Sequence, residues 1–178
     1  MRTKFYILAL LLTCSLSSCM KHASDQMPLY GEVDNTWIFS DGNKLYMGSL
    51  PSGAILHTTP HNNNTYTLEM TGSAHATGEI FTMTIALNQP KASIGNFQSG
   101  IDASDLSNAF YYTGSAASRD AIYISSNTTP GAILNIDIVQ YDEISQRAIV
   151  KFSGQAFDAA GNLVNISKGR LTAKVGLK

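Results

Sequence analysis

From Asn35 onward the chain alternates apolar and polar residues with a period of two, in short runs broken by turn-forming residues. Trp37 to Phe39 and Leu45 to Met47 flank Ser40-Asp41-Gly42-Asn43, a hairpin signal because Asp and Gly tolerate positive φ. Ser49 to Thr58 predicts a short edge strand around Ile55, and Pro60 with His61-Asn62-Asn63-Asn64 predicts a loop. Tyr66, Leu68 and Met70 share one parity, and Gly72 and Gly78 bound the turn expected after them. Phe81, Met83, Ile85 and Leu87 repeat the pattern until Asn88-Gln89-Pro90 ends it. Residues 91–108 are the least regular, with a brief strand expected at Ile94-Gly95-Asn96-Phe97 and one helical turn at Asp102 to Leu106.

The second half is plainer. Phe110, Tyr111 and Tyr112 open a strand, Ala121 to Ser125 form another, and Asn127-Thr128-Thr129-Pro130-Gly131 is a turn. Leu134, Ile136 and Ile138 alternate with Asn135 and Asp137; Ala148, Val150 and Phe152 alternate with Arg147, Lys151 and Ser153. After a turn at Asp158 to Asn162, the apolar parity is even at Val164 and Ile166, then odd at Leu171, Ala173 and Val175. A one-residue flip sends every later side chain to the opposite face unless an extra residue is absorbed. A β-bulge or sharp bend is therefore expected at Lys168-Gly169. No stretch after residue 20 holds a long 3.6-residue period. Nine or ten short strands predict an all-β fold, an antiparallel β-sandwich by preference and a closed β-barrel as the alternative.

The first eighteen residues read differently. Arg2 and Lys4 precede an apolar run, Phe5 to Leu12, too short to cross a bilayer as a helix, which takes about 20 residues. Charge, apolar run and small residues together make a secretory signal-peptide helix. Its boundary, Leu16-Ser17-Ser18-Cys19, resembles a bacterial lipobox, and the resemblance implies that Cys19 is acylated and becomes the mature N-terminus. The rival Leu11-Leu12-Thr13-Cys14 has larger residues before its cysteine. The expected organisation is a signal peptide at 1–18, a polar tether at 19–29 and one β domain at 30–178.

Composition narrows the partners. With Cys14 removed and Cys19 acylated, no disulfide is available, so the core alone must stabilise the domain. After residue 18 the chain carries ten basic residues and thirteen acidic ones, a net charge of −3 that argues against nucleic acid. Charged residues are 14% of the chain, against about 25% in typical domains. Ser, Thr and Asn supply the polar surface instead, as suits an extracytoplasmic β protein.

The C-terminal half resembles small single-domain lipoproteins of the Bacteroidetes type. Phe152, Gly154, Ala156-Phe157, Gly161, Val164, Ile166, Gly169 and Leu171 stand where that family has Phe-x-Gly-x-aromatic, a Gly-containing loop, and Val-x-Ile-x-x-Gly-x-aromatic. Ala156 and Leu171 depart from the pattern, and Trp37 resembles the family's early Trp. The resemblance covers about a quarter of the chain and implies a β domain in the envelope, on a lipid bilayer; it transfers no catalytic residue.

Candidate chemistry is sparse. There is no Gly-x-Ser-x-Gly elbow and no Ser-x-x-Lys. His57 and His61 are four apart, but Pro60 argues against the helix that would align them. Asp102, Ser104 and Asp105 offer oxygens to calcium without the alternating acids of a calcium loop. No catalytic residue, metal or cofactor is expected. Glu69 and Glu79 are the acid pair to inspect for a carboxylate-dependent hydrolase. Trp37, Tyr46, Tyr111 and Tyr112 would make a sugar-stacking platform if exposed together. Lys168, Arg170, Lys174 and Lys178 make the last strand basic, read as protection of a sheet edge or as an anionic-ligand patch. Three functions follow in order: a non-catalytic domain that binds, scaffolds or shields, with carbohydrate as one candidate ligand; a carrier with a lumen cavity of about 300 Å³ or more lined by Phe81, Met83 and Ile136; and the hydrolase.

Overall fold

The computed structural model describes residues 31–61, 65–101, 108–115, 117–118 and 120–178, with Pro60 and His61 described in backbone only. Cys19, the tether and the signal peptide lie outside these residues, as do Asp102, Ser104 and Asp105.

Eleven strands form: β1 Thr36–Ser40, β2 Leu45–Ser49, β3 Ala54–His61, β4 Thr65–Ala74, β5 Glu79–Leu87, β6 Gly95–Ser99, β7 Ala109–Ser115, β8 Ala121–Ser126, β9 Leu134–Asp142, β10 Arg147–Asp158 and β11 Leu163–Leu177. The fold is all-β, and no helix occurs among the described residues. Following the pairings β1–β2, β2–β4, β4–β5, β5–β7, β7–β8, β8–β10, β10–β11 and β11–β1 returns to the starting strand. Every one of those pairings is antiparallel. The second of the two expected architectures, the closed barrel, is thus the one observed, with eight strands in the ring. The preferred sandwich fails because β11 pairs with β10 on one edge and β1 on the other, leaving no open edge at which two sheets could separate.

Three strands patch the wall. β3 pairs with β4 and, in parallel, with the end of β11, filling the gap that β1 and β2 leave. It was expected as an edge strand, but both its edges are paired. β9 and β6 extend from β10 below the point where β8 joins it at Phe157 and Asp158. Gly72, expected to bound a turn, lies inside β4, where its missing Cβ admits the Ser49 backbone.

The bulge expected at Lys168-Gly169 is present. Ile166 and Gly169 on β11 face Gly154 and Phe152 on β10, and Ser167 and Arg170 face Ser40 and Ile38 on β1. Both neighbours therefore meet one extra residue on β11. Lys168 takes a φ of +55°, the left-handed conformation of a bulge. The flip keeps Ile166 and then Leu171, Ala173 and Val175 facing inward along one fifteen-residue strand. Because β11 is paired along both edges, its lysines do not guard a sheet edge.

An eight-stranded barrel has a lumen just wide enough for side chains to fill. Here the filling is aromatic. Trp37 stacks on Phe81 at 4.8 Å between centroids and on Phe39 at 5.8 Å. Phe39 stacks on Tyr46 at 4.8 Å and meets Tyr112 and Phe110 edge-on at 5.2 and 5.5 Å. Phe152 closes against Phe110 at 5.7 Å. Such pairs add about 0.5–1.5 kcal/mol each beyond area burial. Phe81, Met83 and Ile136, expected to line a ligand cavity, are fully buried in this packing. The Trp37 indole N–H is buried without a partner among the described residues. Leaving such a donor unpaired costs about 1–3 kcal/mol, which the packing around it offsets.

Gly48 shows how tightly the rings are held. A Cβ there would overlap the Ser73 carbonyl oxygen and sit 2.5 Å from Cζ2 of Trp37. Gly48→Ala is expected to lower unfolding free energy by about 3 kcal/mol in urea titrations, the upper range of overpacking. Gly42→Ala, at φ +92° but in open space, is expected to cost only about 1 kcal/mol. Equal losses at the two positions would contradict this packing.

Candidate functional site

The barrel has two ends. The chain enters at residues 31–35 near the β9–β10 turn, while the β1–β2 and β4–β5 turns lie at the opposite, far end. At the far end the lumen is closed by tyrosines and carboxylates. Tyr46 and Tyr123 donate to the same Asp41 oxygen at 2.8 and 2.7 Å, and their hydroxyls lie 3.0 Å apart. The other Asp41 oxygen accepts the backbone N–H groups of Asn43 and Lys44 at 2.8 and 2.7 Å, which fixes the hairpin turn. Tyr112 and Thr77 both donate to Glu79 Oε2. Burial disfavours the Asp41 carboxylate, yet the hydrogen bonds from Tyr123, Lys44, Asn43 and Tyr46 prevail and hold its pKa at about 2. Burial first, then Glu79 for Tyr112 and the Tyr46 hydroxyl and Asp41 for Tyr123, push both phenols far above the usual range. These phenols stay protonated and serve as donors. A small hollow of about 250 Å³ lies beside them, lined by Lys44, Met47, Ala74 and Thr77 among others.

The larger concavity is on the wall, where β8 gives way to β9 and β6. It measures about 800 Å³ and is lined by Asn96, Phe97, Gln98, Ile101, Asn108, Asn127, Asn135, Asp137 and Ser153. Register builds it. Asn96 faces Asp137 and Gln98 faces Asn135 across β6–β9, and Asn135 faces Ser153 across β9–β10. All five stand on the outward parity, opposite the buried Leu134, Ile136 and Phe152. Gln98 Nε2 donates to Asn135 Oδ1 at 2.6 Å, aligning the two amides. Asn108 is held by the Ala86 N–H at 2.9 Å and donates to the Gln98 carbonyl at 3.1 Å. Asn127, only 4% exposed, accepts the Gly100 N–H at 2.9 Å. Among the described residues nothing accepts from its amide nitrogen. Each amide sets a donor beside an acceptor on one plane, and strands hold such groups more precisely than loops.

The residues expected to act fare unevenly. Trp37, Tyr46 and Tyr112 are buried in the lumen and Tyr111 alone is half-buried on the outer wall, so the expected aromatic platform does not form. Its physical reason is closure: ring-bearing positions of the right parity fill the barrel. Glu69 and Glu79 are not brought together, since Thr84 faces Glu69 across β4–β5 and Glu79 lies beyond the Ser73–Ile80 pair. Glu69 instead meets His57 at 3.2 Å, and Glu79 meets Tyr112 and Thr77. His57 and His61 lie on strand β3, not on a helix, and the His61 side chain is outside the described atoms. Arg170 pairs with Glu32 at 3.2 Å, which breaks up the basic row of Lys168, Lys174 and Lys178. Among the described residues, no group of three or more His, Cys, Asp or Glu side chains could hold a metal. Asp137 is the one carboxylate among the described groove residues.

The groove was missed in the sequence because its parts come from five segments. The alternation at Asn135 and Asp137 was visible, but their juxtaposition with Asn96 and Gln98 depends on β6 pairing with β9. The chain matches no protein-family model, no curated protein and no solved structure at a significant level.

Asp41 gives a pH prediction. Its native pKa, about 2, lies below its ordinary 3.8, so its stabilising contribution is complete above about pH 4 and disappears as pH falls towards 2. Urea unfolding across this range should show the loss in the parent chain. Asp41→Asn should be less stable at neutral pH and flatter between pH 4 and 2; an identical acid limb in both would sink the assignment.

Proposed function

We propose that this chain is an envelope lipoprotein, held on the outer membrane through acylated Cys19, whose β-barrel is a non-catalytic carbohydrate-binding domain. The observation that carries the binding reading is the outer-wall groove, where Asn96, Gln98, Asn108, Asn127 and Asn135 converge around Asp137 and Ser153. Sugars present neighbouring hydroxyls that each donate and accept, and an amide answers such a pair with a fixed donor and acceptor. Phe97, of the opposite parity to Asn96 and Gln98, packs against the core and braces β6 beneath the polar set. Among the described groove residues Asp137 is the one carboxylate, and a single acid suits recognition better than glycoside hydrolysis, which takes two. The packed lumen argues against the small-ligand carrier. The lipobox pattern and the resemblance of the C-terminal half to Bacteroidetes-type lipoproteins support the location.

The test is a glycan array probed with soluble residues 30–178, followed by calorimetry on any hit. Asn135→Ala and Asp137→Ala should each weaken binding about tenfold, the loss of one good polar contact, with the unfolding midpoint unchanged. Binding that ignores both substitutions, or the absence of any glycan hit, would refute the reading. The location is checked separately: mass spectrometry of the mature N-terminal peptide should find acyl chains on Cys19, and an unmodified thiol would contradict it.

A further inference from the structure

The entry end of the barrel is built unlike the far end. It carries the β9–β10 turn, where Ile144 is 99% exposed. That exposure is fixed by the local structure. Asp142 Oδ1 accepts the N–H groups of Ile144 and Ser145 at 2.9 and 3.3 Å, and Gln146 closes the turn at φ +51°. Two ion pairs draw neighbouring segments against the turn. Arg147 donates to Asp34 at 2.6 Å and to the Glu32 carbonyl at 2.8 Å, which brings Val33 alongside at 46% exposure. Lys91 pairs with Glu143, which brings the β5–β6 connection, with Ile94 at 70% exposure, to the other side. Leu177, 67% exposed, ends β11 on the same end of the barrel.

Three of the four acids here are paired with a base, and the fourth, Asp142, next to Ile144, is held ionised by the N–H groups of Ile144 and Ser145; Lys174 and Lys178 outweigh it. Glu143 is neutralised by Lys91, Asp34 by Arg147 and Glu32 by Arg170. Lys174 and Lys178 are exposed. An exposed isoleucine in a neutral to basic surround does not repel an anionic surface. The far end presents two such carboxylates, Asp41 and Glu79, also held ionised by their hydrogen-bond donors.

The chain itself enters at this end. Gly31 is held by Thr172, which donates to its carbonyl, and by Arg170 at 3.3 Å. The twelve residues from Met20 to Gly31 reach at most about 40 Å. We infer that the entry end, with the exposed Ile144 on its β9–β10 turn, is a membrane-contacting surface that seats the barrel on the bilayer. This rests on the lipid anchor proposed above. An anchor of that reach makes the contact intramolecular, at an effective concentration in the millimolar range, so one isoleucine and its neighbours suffice where a free domain would not bind. The seating has a consequence for the groove. Asn135 precedes Asp142 by seven residues of β9, about 23 Å along the strand. The groove is then held clear of the membrane on the barrel's side, and the tyrosine-closed end points away.

The experiment uses the chain's one Trp as its background, since Trp37 is fully buried. Ile144→Trp and, at the far-end hairpin, Asn43→Trp are introduced separately. Each chain, starting at Cys19, is coupled through that thiol to maleimide-bearing lipid in vesicles of phosphatidylethanolamine and phosphatidylglycerol. The expected result is a blue shift of the Ile144→Trp emission and its quenching by brominated acyl chains, with Asn43→Trp and the parent unaffected. Equal behaviour of the two variants, or quenching confined to Asn43→Trp, would overturn the proposal. Because coupling supplies the tether chemically, the result stands whether or not the cell acylates Cys19; flotation of the cell-made protein reads that separately. Ile144→Asp in the coupled parent, scored by accessibility of the turn to protease, gives a second reading: cleavage at the turn should rise on vesicles and stay unchanged in detergent. No rise on vesicles would count against the seating.

Discussion

The aromatic packing inside the ring is the constraint on which everything else here depends. A barrel of eight strands has a fixed girth, and it is stable only if side chains fill it. Trp37, Phe39, Tyr46, Phe81, Phe110, Tyr112, Tyr123 and Phe152 do so, with centroids between 4.8 and 6.3 Å apart for the contacting pairs around Phe39 and Phe81. Gly48 is bare because the indole lies across it, and Gly169 is bare because the Phe152 ring lies across it. The bulge on β11 follows from the same demand. A fifteen-residue strand that must serve β1, β10 and β3 keeps its apolar side inward only by absorbing one extra residue.

With the interior filled, the described concavities lie on the outer wall and at the barrel ends. The lumen is packed with buried aromatic and aliphatic side chains, and its far end is closed by phenols bound to carboxylates. The wall is where the fold is least regular: β8 stops, β9 and β6 take over, and the seam opens into the amide groove. The strands that shape the groove, β9 and β10, run on to the entry end, so the groove and the β9–β10 turn belong to one β unit but to different surfaces.

Much of this was legible in residues 35–178. Period-two alternation located nearly every strand, and the parity flip between Ile166 and Leu171 located the bulge to the residue. What alternation cannot carry is closure. Parity says that Trp37 and Tyr112 face one side of a sheet; it does not say whether that side meets a second sheet, a solvent or the far wall of a barrel. The aromatic platform was therefore expected outside and found inside. The groove was hidden for a related reason. Asn96 and Asn135 are unremarkable polar positions until β6 is paired with β9, and Asn108 and Asn127 belong to connections with no periodicity to read. The tyrosine–carboxylate seal joins Asp41 to Tyr123 across 82 positions, a separation that only the closed ring explains.

The most direct test of a solid lumen with recognition on the outer wall is an NMR titration of the soluble domain with a glycan that binds it. Side-chain amide signals of Asn96, Gln98, Asn108, Asn127 and Asn135 should move, while the ring signals of Phe39, Phe81 and Phe110 stay fixed. Movement of those rings, with the amides silent, would place the ligand inside the barrel and contradict the account.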